Sequence, residues 1–141
     1  MKRRALHRAT FTLAGIYNIL WGLYALVDQQ WLFRFAGMQP LNHPGIFAGL
    51  GVVVGCFGII YLEVGRNPEQ GFVPAAAGML GKLLGLPSIG LVLRGDWPPA
   101  SIVLTLTNDV IWLVPFGLYL YDAWPFWRGT RKSEALPTKI A

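Results

Sequence analysis

The chain has 141 residues, enough for one compact domain, of which 54% are hydrophobic and only 13% charged. That charged share is about half that of an ordinary soluble domain, and the apolar residues fall in four long blocks where a soluble helix would show a stripe, which points to an integral membrane protein. The net charge of +5 sits mostly at the two ends, as Lys2, Arg3, Arg4 and Arg8 and then Arg128, Arg131, Lys132 and Lys139. Basic ends flanking apolar runs are what membrane orientation requires, and they argue against a nucleic-acid partner.

Residues 1–8 are basic, and the first apolar run follows from about Ala9 to Val27, closed by Asp28 and interrupted by Asn18. The run is longer than the apolar region of a signal peptide. It also lacks a small-x-small cleavage site, since Leu23-Tyr24-Ala25 and Ala25-Leu26-Val27 both fail, so a retained transmembrane helix is expected over 9–28. About 20 residues rising 1.5 Å each span a ~30 Å hydrocarbon core. Residues 29–44 are too short to cross. Trp31, Leu32 and Phe35 can share a helical face, which suits either a short interfacial helix or a loop anchored by Trp31.

The second run, 45–65, carries Gly45-x-x-x-Gly49, Gly51-x-x-x-Gly55 and then Gly58, spacings that let helices approach closely in lipid. It also holds Cys56, the single cysteine, which rules out an intrachain disulfide and reads as a small apolar filler. Glu63 is expected to pair with Arg66, where a polar turn begins whose Pro68 and Gly71 forbid a continuous helix. The third run, 72–93, contains Lys82, a small-residue face of Ala77, Gly81 and Gly85, and Pro87, which should bend its outer half. After the Arg94–Pro99 turn, the fourth run covers 100–122 and includes Thr105, Thr107, Asn108, Asp109 and Pro115. Trp124 and Trp127 then mark an interface, and residues 123–141 read as a disordered tail.

Charge sets the expected topology. With four crossings, the N-terminus, the 66–71 turn and the C-terminus share a side that holds nine Lys/Arg, against two (Arg34 and Arg94) on the other. The sequence therefore predicts an all-α integral membrane bundle of four helices in the inner membrane, with both termini cytoplasmic. Counted from the inner helix ends, Lys82 lies about 15 Å deep, Asp109 about 18 Å and Asn18 about 14 Å. Asn18, Lys82 and Asp109 thus form one layer near mid-membrane, which Asn108 joins if helix rotation permits.

A central Lys or Asp exposed to lipid costs roughly 2.5–3.5 kcal/mol, so the two together cost about 5–7 kcal/mol. Lys82 and Asp109 are therefore expected to face each other, with Asn18 donating to the carboxylate and Thr105 one turn away. Such a pair reads first as an interhelical clamp that fixes register, and second as a functional polar site for which Thr105, Trp112 and Phe116 could line a pocket. His7 and His43 fall on opposite sides, so no histidine-based metal or haem site is expected. No nucleophile elbow, Walker loop or dinucleotide fingerprint is present, and no cofactor is expected.

The stretches Gly81-Lys82-Leu83-Leu84-Gly85 and Asn108-Asp109-x-x-Trp112-x-x-Pro115-Phe116 look like family signatures. In outline, from about Ala9 to Tyr121, the chain resembles small four-helix bacterial membrane proteins of the DoxX-like type. The resemblance implies a glycine-rich bundle with cytoplasmic termini, in a group with some members linked to redox or quinone-associated complexes. The first functional expectation is a non-enzymatic accessory or complex subunit that can self-associate. The alternatives are a small proton-coupled transporter working as a dimer, and a membrane enzyme or binding protein for a lipid or quinone, which requires an apolar pocket reaching Asp109.

Overall fold

A computed structural model describes residues 1–134, with the side chains of residues 1–129. Among the described residues there is no strand. The first run forms α1 (Arg4–Val27), the aromatic connector α2 (Trp31–Ala36), and the second run α3 (Pro44–Arg66). The third run divides into α4 (Phe72–Gly85) and α5 (Pro87–Leu93). The fourth divides into α6 (Ser101–Thr105), a π-turn at Leu106–Val110, and α7 (Ile111–Glu134). Four stretches, Arg4–Val27, Pro44–Arg66, Phe72–Leu93 and Ser101–Gly129, are long and apolar enough to cross a membrane.

The last helix is longer than expected. α7 continues through Trp124 and Trp127 to Glu134, so the tail expected from residue 123 is helical as far as it is described. The cause is packing beyond Tyr121: Phe72 stacks on Trp127 at 4.9 Å and meets Trp124 at 5.4 Å, and Ala123 is fully buried. Residues 135–141 of that expected tail lie outside the described residues.

The connector resolves as a helix because both of its ends are tied. The Asp28 carboxylate accepts from the Gln30 backbone N–H at 3.2 Å and pairs with the Arg34 guanidinium, which holds its carboxyl below the usual carboxylate range. Gly37, at φ 70°, closes α2 in the left-handed conformation that glycine adopts without penalty, as Met38 N–H returns to Phe33 O at 2.8 Å.

α1 and α3 pack antiparallel at backbone contact. A Cβ on Gly15 would lie 2.8 Å from Gly58 O, and one on Gly58 would lie 2.7 Å from Gly15 O. At the next level a Cβ on Gly22 would lie 2.5 Å from Gly51 O. The contacts thus repeat every seven residues on both helices, Gly15 with Gly22 and Gly51 with Gly58, which keeps them on one stripe along two turns. The expected four-residue spacings only partly describe this face. Gly51 points into it and Gly55 borders it through its backbone, whereas a Cβ on Gly45, Gly49 or Gly55 would meet open space. Gly49 stands about 160° around the helix from Gly51 at 100° per residue. Cys56 also points outward, so it fills no gap. Glu63 and Arg66 do pair, at 3.4 Å on the exposed surface.

On α4 the packed stripe is Ala75, Gly78 and Lys82, while Ala77 is exposed and Gly81 faces open space, so of the expected Ala77–Gly81–Gly85 face only Gly85 makes a close contact. The reason is the bulk opposite: the Tyr61 hydroxyl occupies the place where a Gly78 side chain would be. Tyr61 belongs to an aromatic core that joins all four long helices at the basic end of the bundle. Phe11 lies 4.5 Å from Phe116 and 4.6 Å from Tyr119, and Tyr61 lies 5.2 Å from Phe116.

The two glycine faces of α3 separate in a simple test. Gly58→Leu must displace the backbone of α1 and is expected to destabilise by about 1–3 kcal/mol or more, read as an earlier unfolding midpoint in mild detergent. Gly49→Leu should leave the midpoint essentially unchanged.

Candidate functional site

Two helix irregularities meet halfway along the bundle. Pro87 has no N–H to donate, so the third run breaks between α4 and α5. Ser88 Oγ takes up the loosened end by donating to Gly85 O at 2.7 Å. Across from it, the fourth run opens into the π-turn, where Ile111 N–H reaches back to Leu106 O. Such turns insert one residue and release carbonyls from the ordinary ladder.

Lys82 bonds to a carbonyl inside that turn. Its side chain is 6% exposed, and Nζ donates to Asn108 O at 2.8 Å. The rings of Trp112 and Phe116 stand 5.8 and 5.6 Å from the ammonium, close enough for cation–π attraction. This differs from the expected Lys82–Asp109 ion pair. The two charges are neighbours, but the lysine hydrogen-bonds to the backbone one residue before the aspartate, because the π-turn presents that carbonyl and rotates Asp109 away.

The Asp109 carboxylate instead packs against the backbone of Gly85, where any side chain would collide with it. It accepts a hydrogen bond from Asn108 Nδ2 at 3.0 Å. Gly85 is therefore filled by the acid, and Gly78 by Tyr61, so neither leaves room beside the lysine. Asn18 is buried at 6% exposure. Among the described residues its side chain makes no hydrogen bond with Lys82, Asn108 or Asp109, so the expected donation to the carboxylate is not formed. Thr105 is buried and hydrogen-bonded to Ser88 Oγ at 2.7 Å.

From Asp109 a cavity of about 560 Å³ runs toward the end of the bundle that carries α2. Gly85, Ser88, Thr105, Asn108 and Asp109 form its floor. Tyr17, Trp21, Trp31, Phe33, Phe35 and Trp97 form much of its wall. An apolar, aromatic cavity with a few convergent polar groups is the usual form of a small-molecule site. Of the expected pocket residues, Thr105 lines it. Trp112 and Phe116 do not: Phe116 is fully buried in the aromatic core, and both rings flank Lys82 on the other side of Asp109. The indole N–H of Trp31 is buried without a hydrogen-bond partner among the described residues.

A second buried polar cluster lies at the basic end. His7 is fully buried, and its Nε2 meets Asp122 Oδ2 at 2.8 Å, while Arg3 grips the same carboxylate through Nη2 at 2.7 Å and Nε at 2.9 Å. The Tyr119 ring packs edge-on against His7 at 5.4 Å and donates its hydroxyl to Pro68 O at 2.8 Å. This cluster ties the start of α1 to α7 and the 66–71 turn. Sequence reasoning missed it, treating Asp122 as a helix end and His7 only as an unpaired metal ligand. The available signal was the i, i+4 spacing of Arg3 and His7 opposite a lone acid at the same expected depth. His43 lies at the far end of α3, and no group of His, Cys, Asp and Glu among the described residues could hold a metal.

No protein-family model, curated protein or solved structure matches the chain.

The seating of Asp109 on Gly85 predicts an asymmetry between neighbouring glycines. Gly85→Ala must dislodge the carboxylate and is expected to destabilise by about 1–3 kcal/mol, measured by thermal unfolding in detergent. Gly81→Ala, whose new methyl meets open space, should be neutral or slightly stabilising.

Proposed function

We propose that the four helices cross the bacterial inner membrane with both termini in the cytoplasm, and that the protein binds a small lipophilic molecule, a lipid or a quinone, in the cavity that ends on Asp109. The observation that carries the reading is the cavity itself. A mid-membrane carboxylate forms part of its floor, aromatic side chains wall it, and α2 and Trp97 border its far end. A clamp that fixed helix register alone would bring acid and base together and close around them. Here the lysine is satisfied by a backbone carbonyl, and the acid faces a space of ligand size. Intramembrane ionisable groups with access to a cavity are typical of ligand or ion sites. The resemblance to DoxX-like proteins is compatible with this role, and the chain carries no equipment for soluble-type catalysis.

The topology has a direct test. In a Cys56→Ala background, a cysteine at Gln39 should react with a membrane-impermeant maleimide in intact cells. One at Gln70 should react only after the membrane is ruptured, and the reverse pattern refutes the orientation.

Occupancy is tested by purifying the protein in mild detergent, extracting it with organic solvent and analysing the extract by mass spectrometry. Wild-type protein should carry a lipophile enriched over bulk lipid. Leu104→Trp, which fills the cavity with apolar bulk and leaves the polar floor intact, should lose it. Equal extracts from wild type and variant would refute a binding role for the cavity.

A further inference from the structure

The hydroxyl hydrogens on the cavity floor are already spent, and that decides what kind of head group fits beside Asp109. Ser88 Oγ donates to Gly85 O at 2.7 Å, so at the 2.7 Å contact between Ser88 and Thr105 the threonine must be the donor. Ser101 Oγ donates to Pro98 O at 2.5 Å and Thr107 Oγ1 to Val103 O at 2.8 Å. Asn108 directs one amide hydrogen to Asp109. A hydroxyl has one hydrogen and two lone pairs, so what these side chains still offer is acceptor oxygen.

Asp109 points the same way. A carboxylate has roughly four acceptor sites and no hydrogen. Among the described residues, Asp109 accepts one side-chain hydrogen bond, from Asn108, while the adjacent Lys82 donates to Asn108 O. The ammonium keeps the region electrically balanced without consuming the carboxylate's lone pairs. The donors left in the cavity are the Tyr17 hydroxyl, the second amide hydrogen of Asn108 and the indole N–H groups of the aromatic wall, including that of Trp31, and all but the Asn108 hydrogen stand on the wall away from the carboxylate. From Ser101 to Asp109 the cavity runs about 12 Å at 1.5 Å per residue, room for a ring with a short tail.

We infer that the cavity selects lipophilic molecules whose head group donates hydrogen bonds, a hydroxyl or an ammonium, and discriminates against head groups that only accept. The inference rests on the binding role proposed above and narrows it. A phenol or hydroquinone places its O–H on Asp109 and Thr105. An oxidised quinone, a ketone or an ether sets oxygen against oxygen and leaves buried acceptors unpaired. A site built to hydrogen-bond a hydroxyl rejects the analogue without it far more strongly than a merely greasy site could.

Matched probes decide the matter. Binding of 4-hexylphenol, 4-hexylanisole and 4-hexylbenzylamine to the full chain in lipid nanodiscs is measured by calorimetry, with empty nanodiscs subtracted. The phenol or the amine is expected to bind at least about tenfold more tightly than the ether, and which of the two wins says whether the preferred donor is neutral or cationic. Asp109→Asn, which replaces one acceptor oxygen with a donor amide, should bring the ratio to within about twofold. Should that variant fail to fold, the near-isosteric Thr105→Val should still lower the ratio severalfold. Ether binding equal to or tighter than that of both donors overturns the inference while leaving the cavity a binding site. If no probe binds in a manner abolished by Leu104→Trp, the binding role itself is refuted.

Discussion

The bond from Lys82 Nζ to Asn108 O is the constraint around which the middle of the bundle is arranged. An ammonium held in an apolar layer needs acceptors, and a main-chain carbonyl can supply one on its second lone pair. The fourth run opens into a π-turn at this level, and the Asn108 carbonyl within it is the acceptor. The same opening swings Asp109 onto Gly85, a position that only a glycine leaves vacant. Pro87 completes the arrangement from the facing run, since the break it makes brings Ser88 to Thr105. The polar floor therefore follows from three local departures from helical regularity that compensate one another.

These departures divide the molecule into two unlike halves. At the basic end the four long helices close on Phe11, Tyr61, Phe116 and Tyr119, and Asp122 is gripped by Arg3 and His7. The aromatic core there is dense, although a second pocket of about 800 Å³ opens beside it between Met1, Phe72, Leu120, Asp122 and Trp124. Beyond Asp109, the far half holds an aromatic-lined cavity bordered by α2. Close glycine packing binds α1 to α3 along most of their length, giving one rigid wall against which the irregular third and fourth runs can open.

The Lys82–Asp109 relationship shows how far depth alone can carry an argument. Counting residues from the helix ends places both groups in one layer, and both are buried. Depth says nothing about rotation, however, and the π-turn changes rotation by the angle of one residue. The choice between a direct ion pair and the separate partners found here lies in that angle. Glycine patterns carry the same ambiguity. Gly45 with Gly49 and Gly51 with Gly55 look alike as spacings, yet of the four only Gly51 points into α1.

Long apolar runs, the turns at Pro68 and Gly95, and the break at Pro87 were set by the sequence alone. Chain length, proline's missing N–H and the shortage of charged residues leave little alternative for each of them. So was the presence of a buried acid and a buried base at matched depth. Tertiary structure decided which face each helix presents, that the seven-residue glycine repeat outranks the four-residue one, and that Asp122 joins Arg3 and His7. It also decided that the space beside Asp109 stays open. All of these depend on helix rotation and on what stands opposite, and periodicity along one chain carries no record of its neighbours.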